Sequence, residues 1–400
     1  MPHAGRHGEN VRSDCWINIE LGGNGLDIRM QSKVKALYGR QIEEQLKKEC
    51  QMLGIENARI DIDDSGALPF VISARLEAAV RRADIDTKFP VIPQRQPAFK
   101  ASEKDRLRRS RLYLPGNMPH LFLNAGLHEP DGIILDLEDS VSPAEKDAAR
   151  PLVRNALLSV DFYKAERMVR INPLPMGLDD LPWIVPYGVQ LILVPKCEHP
   201  DQVLQVEAKI AELDPGYSVW ILPIIESARG CFLAYDIAGA SPNIVGLAIG
   251  LEDYTADIGV PRTPEALESL WAQSTIVNAA KAHGLQAIGS VFADVEDLQG
   301  CSQAARHAKS LGFDGMGCIH PRQIPAIHKT FAPTESEIDY AKNVVLAFKV
   351  AREQGQGVVA LGSKMIDAPV VKRAQTVIRH AIVAGLLRED WQNGQSERSE

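Results

Sequence analysis

Eight short apolar runs between Arg111 and Ile319 constrain the fold of this chain more than any other feature. They read RLYLPG, GIILDLE, MVRIN, QLILVPK, SVWILPIIE, IVGLAIG, QAIGSVF and FDGMGCIH. Runs that are nearly continuous in apolar residues are typical of parallel strands buried on both faces, and helical patterns separate them. Eight such units predict a closed (β/α)₈ TIM barrel of the α/β class. An open doubly wound sheet is the alternative, but no GxGxxG follows any run, so a dinucleotide crevice has no support.

The rest of the chain divides around this barrel. We expect a small α+β domain over 1–85, a proline-containing linker over 86–107, the barrel over 108–330 and a C-terminal helical extension over 331–400. In the first domain, CWINIEL and LDIRM predict a hairpin joined by GGNG, followed by a helix over 32–53. A strand at NARIDID and a short helix at ARLEAAVRR complete it. Two or more helices joined by a glycine-rich loop are expected near the C-terminus.

Composition excludes several classes of function. The net charge of −8 argues against nucleic-acid binding, which needs a dominant basic patch. The N-terminus has no apolar signal region and no stretch could span a bilayer, so we expect a cytoplasmic protein without membrane contact. The six cysteines contain no CxxC pair, which favours reduced thiols over a disulfide or zinc framework.

Polar side chains at the ends of the predicted strands indicate the chemistry, because barrel enzymes place catalytic groups there. These residues are Asp136, Glu138, Asp139, Arg170, Asn172, Lys196, Glu198, Glu226, Glu252 and Asp253. Hard divalent cations prefer carboxylate oxygens, and two carboxylates with a chelating substrate would complete an octahedral Mg²⁺ site. Each acidic residue alone is better explained as a helix cap or a solvated loop residue. Their coincidence at one rim is what favours a metal site.

Motifs in a consistent order extend this interpretation over residues 108 to about 385. They are RSRLYLPGN, ILDLEDSVSPAEK, VRINP, LVPKCE, PIIESARG, GLED, CIHPRQI and KMIDAP. Together they resemble the citrate lyase β-subunit family of HpcH/HpaI-type lyases. The resemblance implies Mg²⁺, with Mn²⁺ as the alternative ion, bound by Glu226 and Asp253, and Arg170 gripping the carboxylate of a 2-oxo acid. Glu138 and Asp139 would hold metal-bound waters, with Lys146 pairing with them.

The chemistry implied by the resemblance is a retro-Claisen cleavage. A 3-hydroxyacyl thioester of citryl, citramalyl or malyl type, on CoA or on a carrier, would give an acyl thioester and a 2-oxo acid. Arg170 and the metal would meet the negative charge. In similar family members an aspartate of a neighbouring subunit moves the proton at the thioester α-carbon, and the matching residue is Asp367. The resemblance suggests a homotrimer or a multiple of it, and a shared Asp367 requires at least neighbouring chains. Asp367 also suits the N-cap of the helix APVVKRAQ.

Some positions depart from the family pattern or remain open. Relatives often read AID in strand seven, whereas residues 287–289 read AIG, so a polar contact near the thioester is missing. His320 is expected to be a hydrogen-bonded residue near the end of strand eight rather than an acid or base. Arg111 and Arg229 are expected either to contact phosphates or to form salt bridges.

The N-terminal domain resembles the citrate lyase acyl carrier (γ) subunit at GENVRSD, SKVKALYGRQI, LGIENARI and DSGALPFVISARLEAAV. In that subunit a serine of a Ser-Ser-Asp triplet carries the prosthetic arm through a phosphodiester. The triplet here is Arg12, Ser13 and Asp14, and arginine cannot form that bond. The favoured interpretation is a domain that has lost its arm and serves docking, oligomerisation or stability. Attachment to Ser13, one residue over, is the alternative.

Three functions remain open from the sequence. The leading one is the lyase, and the second is condensation or thioester hydrolysis through the same enolate. The third is a non-catalytic assembly subunit of a citrate-lyase-like complex with partner subunits. The intact set Arg170, Glu226, Asp253 and Asp367 argues against the third.

Overall fold

The fold was analysed in a computed structural model, which describes residues 2–84, 99–355, 358–362 and 364–392. Of the predicted linker, residues 86–98 lie outside the described residues. Within the described part of the chain, no helix is long and apolar enough to cross a membrane.

Eight parallel strands close into the predicted barrel, since the last strand pairs with the first. They are β5 (Ser110–Pro115), β6 (Gly132–Asp136), β7 (Glu166–Arg170), β8 (Leu191–Val194), β9 (Trp220–Ile225), β10 (Gly246–Ile249), β11 (Gln286–Gly289) and β12 (Gly315–Cys318). The helices of this region are α3 (Lys146–Ser159), α4 (Leu181–Ile184), α5 (Pro200–Leu213), α6 (Ala228–Ala238), α7 (Leu251–Asp257), α8 (Leu270–Ala282), α9 (Leu298–Leu311) and α10 (Gln323–Phe331). Each apolar run of the sequence overlaps one strand. The barrel prediction is confirmed.

Apolar side chains fill both faces of the barrel sheet, as the unbroken apolar runs predicted. One core lies between the strands and the surrounding helices, and a second cluster that includes Ile134, Leu193 and Leu222 occupies the interior. The barrel is therefore packed through its middle, and open space for a ligand remains at its end.

The segment before β5 closes the N-terminal end of the barrel. Arg108 donates from Nε and Nη2 to the carboxylate of Glu166 at 2.7 and 2.9 Å, and the Ser102 hydroxyl donates to the same carboxylate. The Trp220 indole donates to the carbonyl oxygen of Ser102 at 2.7 Å. The last residues of the predicted linker are therefore packed against the barrel, because their polar groups form hydrogen bonds with those of the strands.

The N-terminal domain is a four-stranded sheet with two helices. Its elements are β1 (His3–Gly5), β2 (Cys15–Leu21), β3 (Leu26–Ser32), α1 (Lys35–Met52), β4 (Ala58–Asp64) and α2 (Pro69–Arg82). The predicted hairpin is wrong: β4 lies between β2 and β3, antiparallel to the first and parallel to the second. The physical reason is that α1 carries the chain back across the sheet, as a helical crossover between parallel strands does.

This domain docks on the barrel through α2, which packs along α3. Arg154 of α3 forms an ion pair with Glu77 of α2, and both side chains are buried. The Asn155 side chain donates to the carbonyl oxygen of Phe70 at 3.0 Å. Buried polar contacts of this kind fix one arrangement of the two surfaces.

The C-terminal extension is a helical pair with a small hairpin between its helices. It consists of α11 (Glu335–Glu353), β13 (Val359–Leu361), β14 (Lys364–Ile366) and α12 (Ala368–Val383). Val344, Ile366 and Ile378 belong to a core that is separate from the barrel core. The hairpin falls where the sequence predicted a loop, because three-residue strands give too little alternation to detect.

Candidate active site

The carboxyl ends of the barrel strands surround a cavity of about 400 Å³. Its walls include Asp136, Asp139, Arg170, Glu226 and Asp253. The structure therefore brings together most of the residues that the sequence placed at the strand ends.

Glu226 directly follows β9 and is only 5% exposed. Its Oε1 accepts a hydrogen bond from the amide of Lys196 at 2.6 Å. Its Oε2 lies so close to Gly250 that a Cβ on that residue would be 2.4 Å away, so a larger residue there would displace the carboxylate. Burial raises the pKa of Glu226 to about 8, and the neighbouring charges of Asp253 and Glu138 add to the effect. A cation in this place would stabilise the ionised carboxylate.

Asp253 lies in the first turn of α7, half-buried, and faces the same cavity. Among the described residues there is no group of three or more side chains of the His, Cys, Asp and Glu types that could hold a metal ion. Two carboxylates that leave room for substrate oxygens and water match what Mg²⁺ prefers, because it keeps several waters and binds through one or two carboxylates. Glu226 and Asp253 therefore fit a hard divalent cation.

Arg170 ends β7 and is held rigidly at the wall of the cavity. Its Nε and Nη2 donate to the two oxygens of Asp136 at 2.6 and 2.7 Å, and Nη1 lies 2.7 Å from Glu138. Burial alone would raise the pKa of Asp136, but hydrogen bonds from Arg170 and Ser140 outweigh it and lower that pKa. Three of the five N–H groups of the guanidinium face these carboxylates, which leaves two for a ligand.

Glu138 and Asp139 lie beside Arg170 in different environments. Glu138 is 1% exposed and lies 2.8 Å from the Lys196 ammonium, whereas Asp139 is exposed and lies 3.5 Å from it. Burial raises the pKa of Glu138. The importance of Lys196 was missed: the sequence placed it at the end of strand four, but a lysine there gives no sign of which carboxylate it will contact.

Family models match both the barrel and the N-terminal domain. The HpcH/HpaI aldolase/citrate lyase family model matches residues 109–321. Citrate lyase subunit β of Leuconostoc mesenteroides subsp. cremoris is 40% identical over 284 residues, which are 69% of this chain and 94% of the relative. The chain belongs to the HpcH/HpaI aldolase/citrate lyase family. It is accordingly a carbon–carbon lyase.

Other members of the HpcH/HpaI family match over a similar length. Mitochondrial citramalyl-CoA lyase of Homo sapiens is 31% identical over 288 residues, 68% of this chain and 84% of the relative. Among solved structures, the chain resembles CitE from Mycobacterium tuberculosis in complex with magnesium, acetoacetate and coenzyme A. The two are 31% identical in sequence with a TM-score of 0.58, and the match covers 70% of this chain and 99% of the CitE chain. The N-terminal domain matches a separate family model, the malonate decarboxylase delta subunit (MdcD), over residues 5–83. This match fits the acyl-carrier-like interpretation.

Two residues inferred from the family pattern occupy other places within this chain. The Lys146 ammonium donates to the carbonyl oxygens of Leu137 and Glu138, both at 2.9 Å, and to the Asn172 side chain. The expected pairing with carboxylates is wrong, because Lys146 begins α3 beneath this loop and meets its main chain first. Asp367 caps α12 by accepting from the Val370 amide at 3.2 Å, and within the described part of the chain it does not line the cavity.

Three further residues that the sequence left open have clear positions in this lyase. His320 accepts a hydrogen bond at Nδ1 from the Arg322 amide at 3.1 Å, as expected for a structural histidine. Arg229 lies exposed in the first turn of α6. Arg111 is buried and lines the cavity, and it forms no salt bridge with any described residue.

The segment that matches the prosthetic-attachment triplet lies at the rim of the barrel. Asp14 accepts from Nε and Nη2 of the buried Arg75, each at 2.9 Å. Arg75 also donates to the carbonyl oxygen of Asn117, which follows β5, at 3.1 Å. Ser13 and the exposed Arg12 are therefore held close to the end of the barrel that carries the cavity.

Proposed function

We propose that this HpcH/HpaI-family lyase cleaves a 3-hydroxyacyl thioester of CoA, of citryl, citramalyl or malyl type, into an acyl-CoA and a 2-oxo acid. The observation that carries the proposal is the buried Glu226 carboxylate beside Asp253 in the cavity that Arg170 borders. Glu226 and Asp253 would hold Mg²⁺, or Mn²⁺ in its place. When bound, the metal supplies Lewis-acid stabilisation of the developing ketone oxygen.

The side chains of the chain itself would orient and neutralise the substrate. The two remaining N–H groups of Arg170 suit the carboxylate of the 2-oxo acid, since a planar guanidinium binds carboxylates bidentately. Glu138 and Lys196 hold Arg170 and Asp139 at fixed positions, and Glu138 and Asp139 would also order water around the cation. As the carbon–carbon bond breaks, the substrate hydroxyl gives its proton to water and becomes the ketone oxygen of the 2-oxo acid. The electron pair of the broken bond moves to the α-carbon of the thioester, which then takes up a proton, so one proton is released and one is taken up.

We propose that Asp367 of a neighbouring copy supplies this proton in a homotrimer or a multiple of it. Two observations support the assignment. Asp367 caps α12 and does not line the described cavity of its own chain, and Met365 just before it is 70% exposed. An exposed apolar side chain beside a functional aspartate suits a contact between copies.

A complementation experiment tests this sharing. Asp253→Ala and Asp367→Ala proteins, each inactive alone, are unfolded together and refolded as a mixture. A site that takes Asp253 from one chain and Asp367 from its neighbour should regain activity in about one quarter of the sites. A mixture as inactive as its components would show that both residues act within one chain.

The substrate is proposed to be a free CoA thioester, because Arg12 replaces the serine that would carry an arm. A carrier-bound substrate remains the second candidate, which the position of Ser13 at the barrel rim favours. Purified protein is assayed with Mg²⁺ against CoA thioesters while released 2-oxo acid is trapped and intact mass is recorded. Cleavage at the unmodified mass supports the proposal. Cleavage only after a modified carrier or a citrate-lyase-like partner subunit is added would overturn it, and an inert protein in both assays would favour the assembly role.

Two further assignments complete the proposal. Condensation or thioester hydrolysis through the same enolate would appear in that assay as consumption of 2-oxo acid or release of free CoA. We also propose a cytoplasmic location, supported by the six cysteines, all free and buried.

A further inference from the structure

Arg111 carries a charge that no described residue pairs in a salt bridge. It lies on β5, is 1% exposed, and its Nε and Nη1 have no hydrogen-bond partner among the described residues. Arg108, three residues earlier, is equally buried but has both oxygens of Glu166. Buried charges are normally paired, so two arginine nitrogens left without an acceptor indicate that a ligand provides one.

The side chain of Arg111 lies on the deep side of the active-site cavity. Arg111, Tyr113 and Pro115 alternate along β5 and all line the cavity. Pro115 pairs in register with Asp136, the partner of Arg170 at the rim. The backbone of Arg111 therefore lies four residues below the rim, which is roughly 13 Å along the strand. The cavity runs from the metal-binding carboxylates inward to this arginine.

Glycine keeps the path to Arg111 open. Gly317 of β12 pairs in register with Arg111, and a Cβ there would lie 2.7 Å from Val291 and 3.1 Å from the Tyr113 ring. Gly289 also lines the cavity without a side chain. The centroid of the Tyr113 ring lies 5.2 Å from the guanidinium carbon of Arg170. Tyr113 therefore lies beside Arg170 near the rim, and Arg111 lies deeper in the cavity.

Two other cations near the cavity already face carboxylates of the protein. Arg170 faces Asp136 and Glu138, and Lys196 faces Glu138. Burial lowers the pKa of Arg111 to about 10, so its guanidinium still carries a full charge near neutral pH. An anion that reaches the inner end of the cavity thus meets a cation with two unpartnered donor nitrogens, Nε and Nη1.

We propose that Arg111 binds a second carboxylate of the substrate, borne on the 2-oxo-acid half, and so selects dicarboxylic over monocarboxylic 2-oxo acids. The inference rests on the proposed function, in which the first carboxylate and the ketone oxygen are held near the rim by Arg170 and the metal. The remaining substituent of the ketone carbon then has the inner cavity available. A carboxymethyl group there pairs with Arg111, whereas a methyl group leaves the charge buried and unpaired.

Citryl-CoA and citramalyl-CoA differ only in this substituent, so they are the substrates of choice for the test. We expect wild-type kcat/KM to favour citryl-CoA, and Arg111→Met to lower the value for citryl-CoA roughly 100-fold while that for citramalyl-CoA changes less than about three-fold. Arg111→Lys, the matched variant that keeps the charge, should retain part of the preference. An equal loss with both substrates, or a preference unchanged in Arg111→Met, overturns the inference while the proposed function stands.

A measurement on the wild-type protein covers the case in which the variant does not fold. With Mg²⁺ present, oxaloacetate should inhibit at least about ten-fold more tightly than pyruvate, because only the former carries the second carboxylate. Equal inhibition by both acids overturns the inference. Failure of wild-type protein to cleave any CoA or carrier thioester would instead contradict the proposed function, so the two failures are distinguishable.

Discussion

The two ends of the barrel use the same kinds of residue for opposite purposes. At the N-terminal end, Arg108 and Glu166 are 0% exposed and bind each other through two hydrogen bonds. At the C-terminal end, Arg170 links two carboxylates, while Glu226 faces a cavity with no cation against its Oε2 among the described residues. One end is electrostatically complete and the other becomes complete only with a ligand. Changes at the first should therefore alter stability, and changes at the second should alter activity.

The largest effect on activity should come from Asp253→Asn. Loss of one of the two carboxylates proposed to bind the metal should reduce kcat/KM at least about 1,000-fold, which corresponds to roughly 4 kcal/mol of transition-state stabilisation. The thermal unfolding midpoint should change little, because the side chain lies at the cavity surface. Steady-state kinetics with a Mg²⁺ titration measures the first quantity, and calorimetry the second.

Glu252→Gln is the matched control for this variant. Glu252 is the preceding residue of the same helix and also lines the cavity, but it is exposed and paired with Arg262 at 2.6 Å. Its change should cost less than about five-fold in kcat/KM, as expected for an exposed ion pair. Equal losses in both variants would show that the acidic character of the rim matters rather than one ligand position.

Arg108→Met tests the N-terminal end of the barrel. The substitution leaves Glu166 buried without its cation, and breaking a buried pair in this way costs about 3–5 kcal/mol of unfolding free energy. Below the unfolding transition, kcat/KM should equal that of the wild type. Urea unfolding and kinetics at low temperature give the two values. Adding Glu166→Leu should recover most of the stability, and a loss of activity in the folded single variant would contradict the division between the two ends.

A smaller effect is expected from Arg170→Lys. Lysine keeps the charge but cannot span both oxygens of Asp136 and still present two donors to a ligand. We expect kcat/KM to fall roughly 100-fold, with the larger part in KM for the thioester. Measured separately, kcat and KM locate the defect. A fall confined to kcat would show that Arg170 acts on the transition state alone rather than in binding.

The two ends also differ in how far the sequence could predict them. Parallel strands buried on both faces leave long apolar runs, so all eight were visible, and residues just after a run necessarily lie at the rim. Which rim residues pair is not visible in this way. Lys146 and Lys196 both follow predicted strands, yet one binds main-chain oxygens and the other binds Glu138. That choice depends on side-chain direction and distance, which spacing in the sequence does not encode.

Strand order in the N-terminal domain shows the same limit. Gly22, Gly23 and Gly25 between β2 and β3 adopt positive φ, as turn glycines do, so the hairpin signal in the sequence was genuine local chemistry. The longer-range pairing of β4 with both strands decided the arrangement. For Arg111 the sequence offered a phosphate contact or a salt bridge, and only the three-dimensional surroundings showed that no acidic side chain among the described residues reaches it.

The smallest effect is expected from Ser13→Ala. This substitution tests whether the cavity at the C-terminal end of the barrel binds only a free ligand or also a substrate carried on a covalent arm. The Ser13 amide donates to the Ser65 carbonyl oxygen at 3.0 Å, a contact that alanine keeps, and only the hydroxyl is lost. If no arm is attached, kcat/KM with CoA thioesters should change less than two-fold, within the range of a neutral surface substitution. Intact mass should differ by one oxygen atom.

Asp14→Asn, the adjacent control, should instead lower stability, because it removes the charge that faces the buried Arg75. The opposite result would be a wild-type mass that exceeds the sequence mass by that of an arm, with both the extra mass and the activity lost in Ser13→Ala. It would show that a covalent arm on Ser13 delivers substrate to the rim and that Arg12 does not prevent attachment.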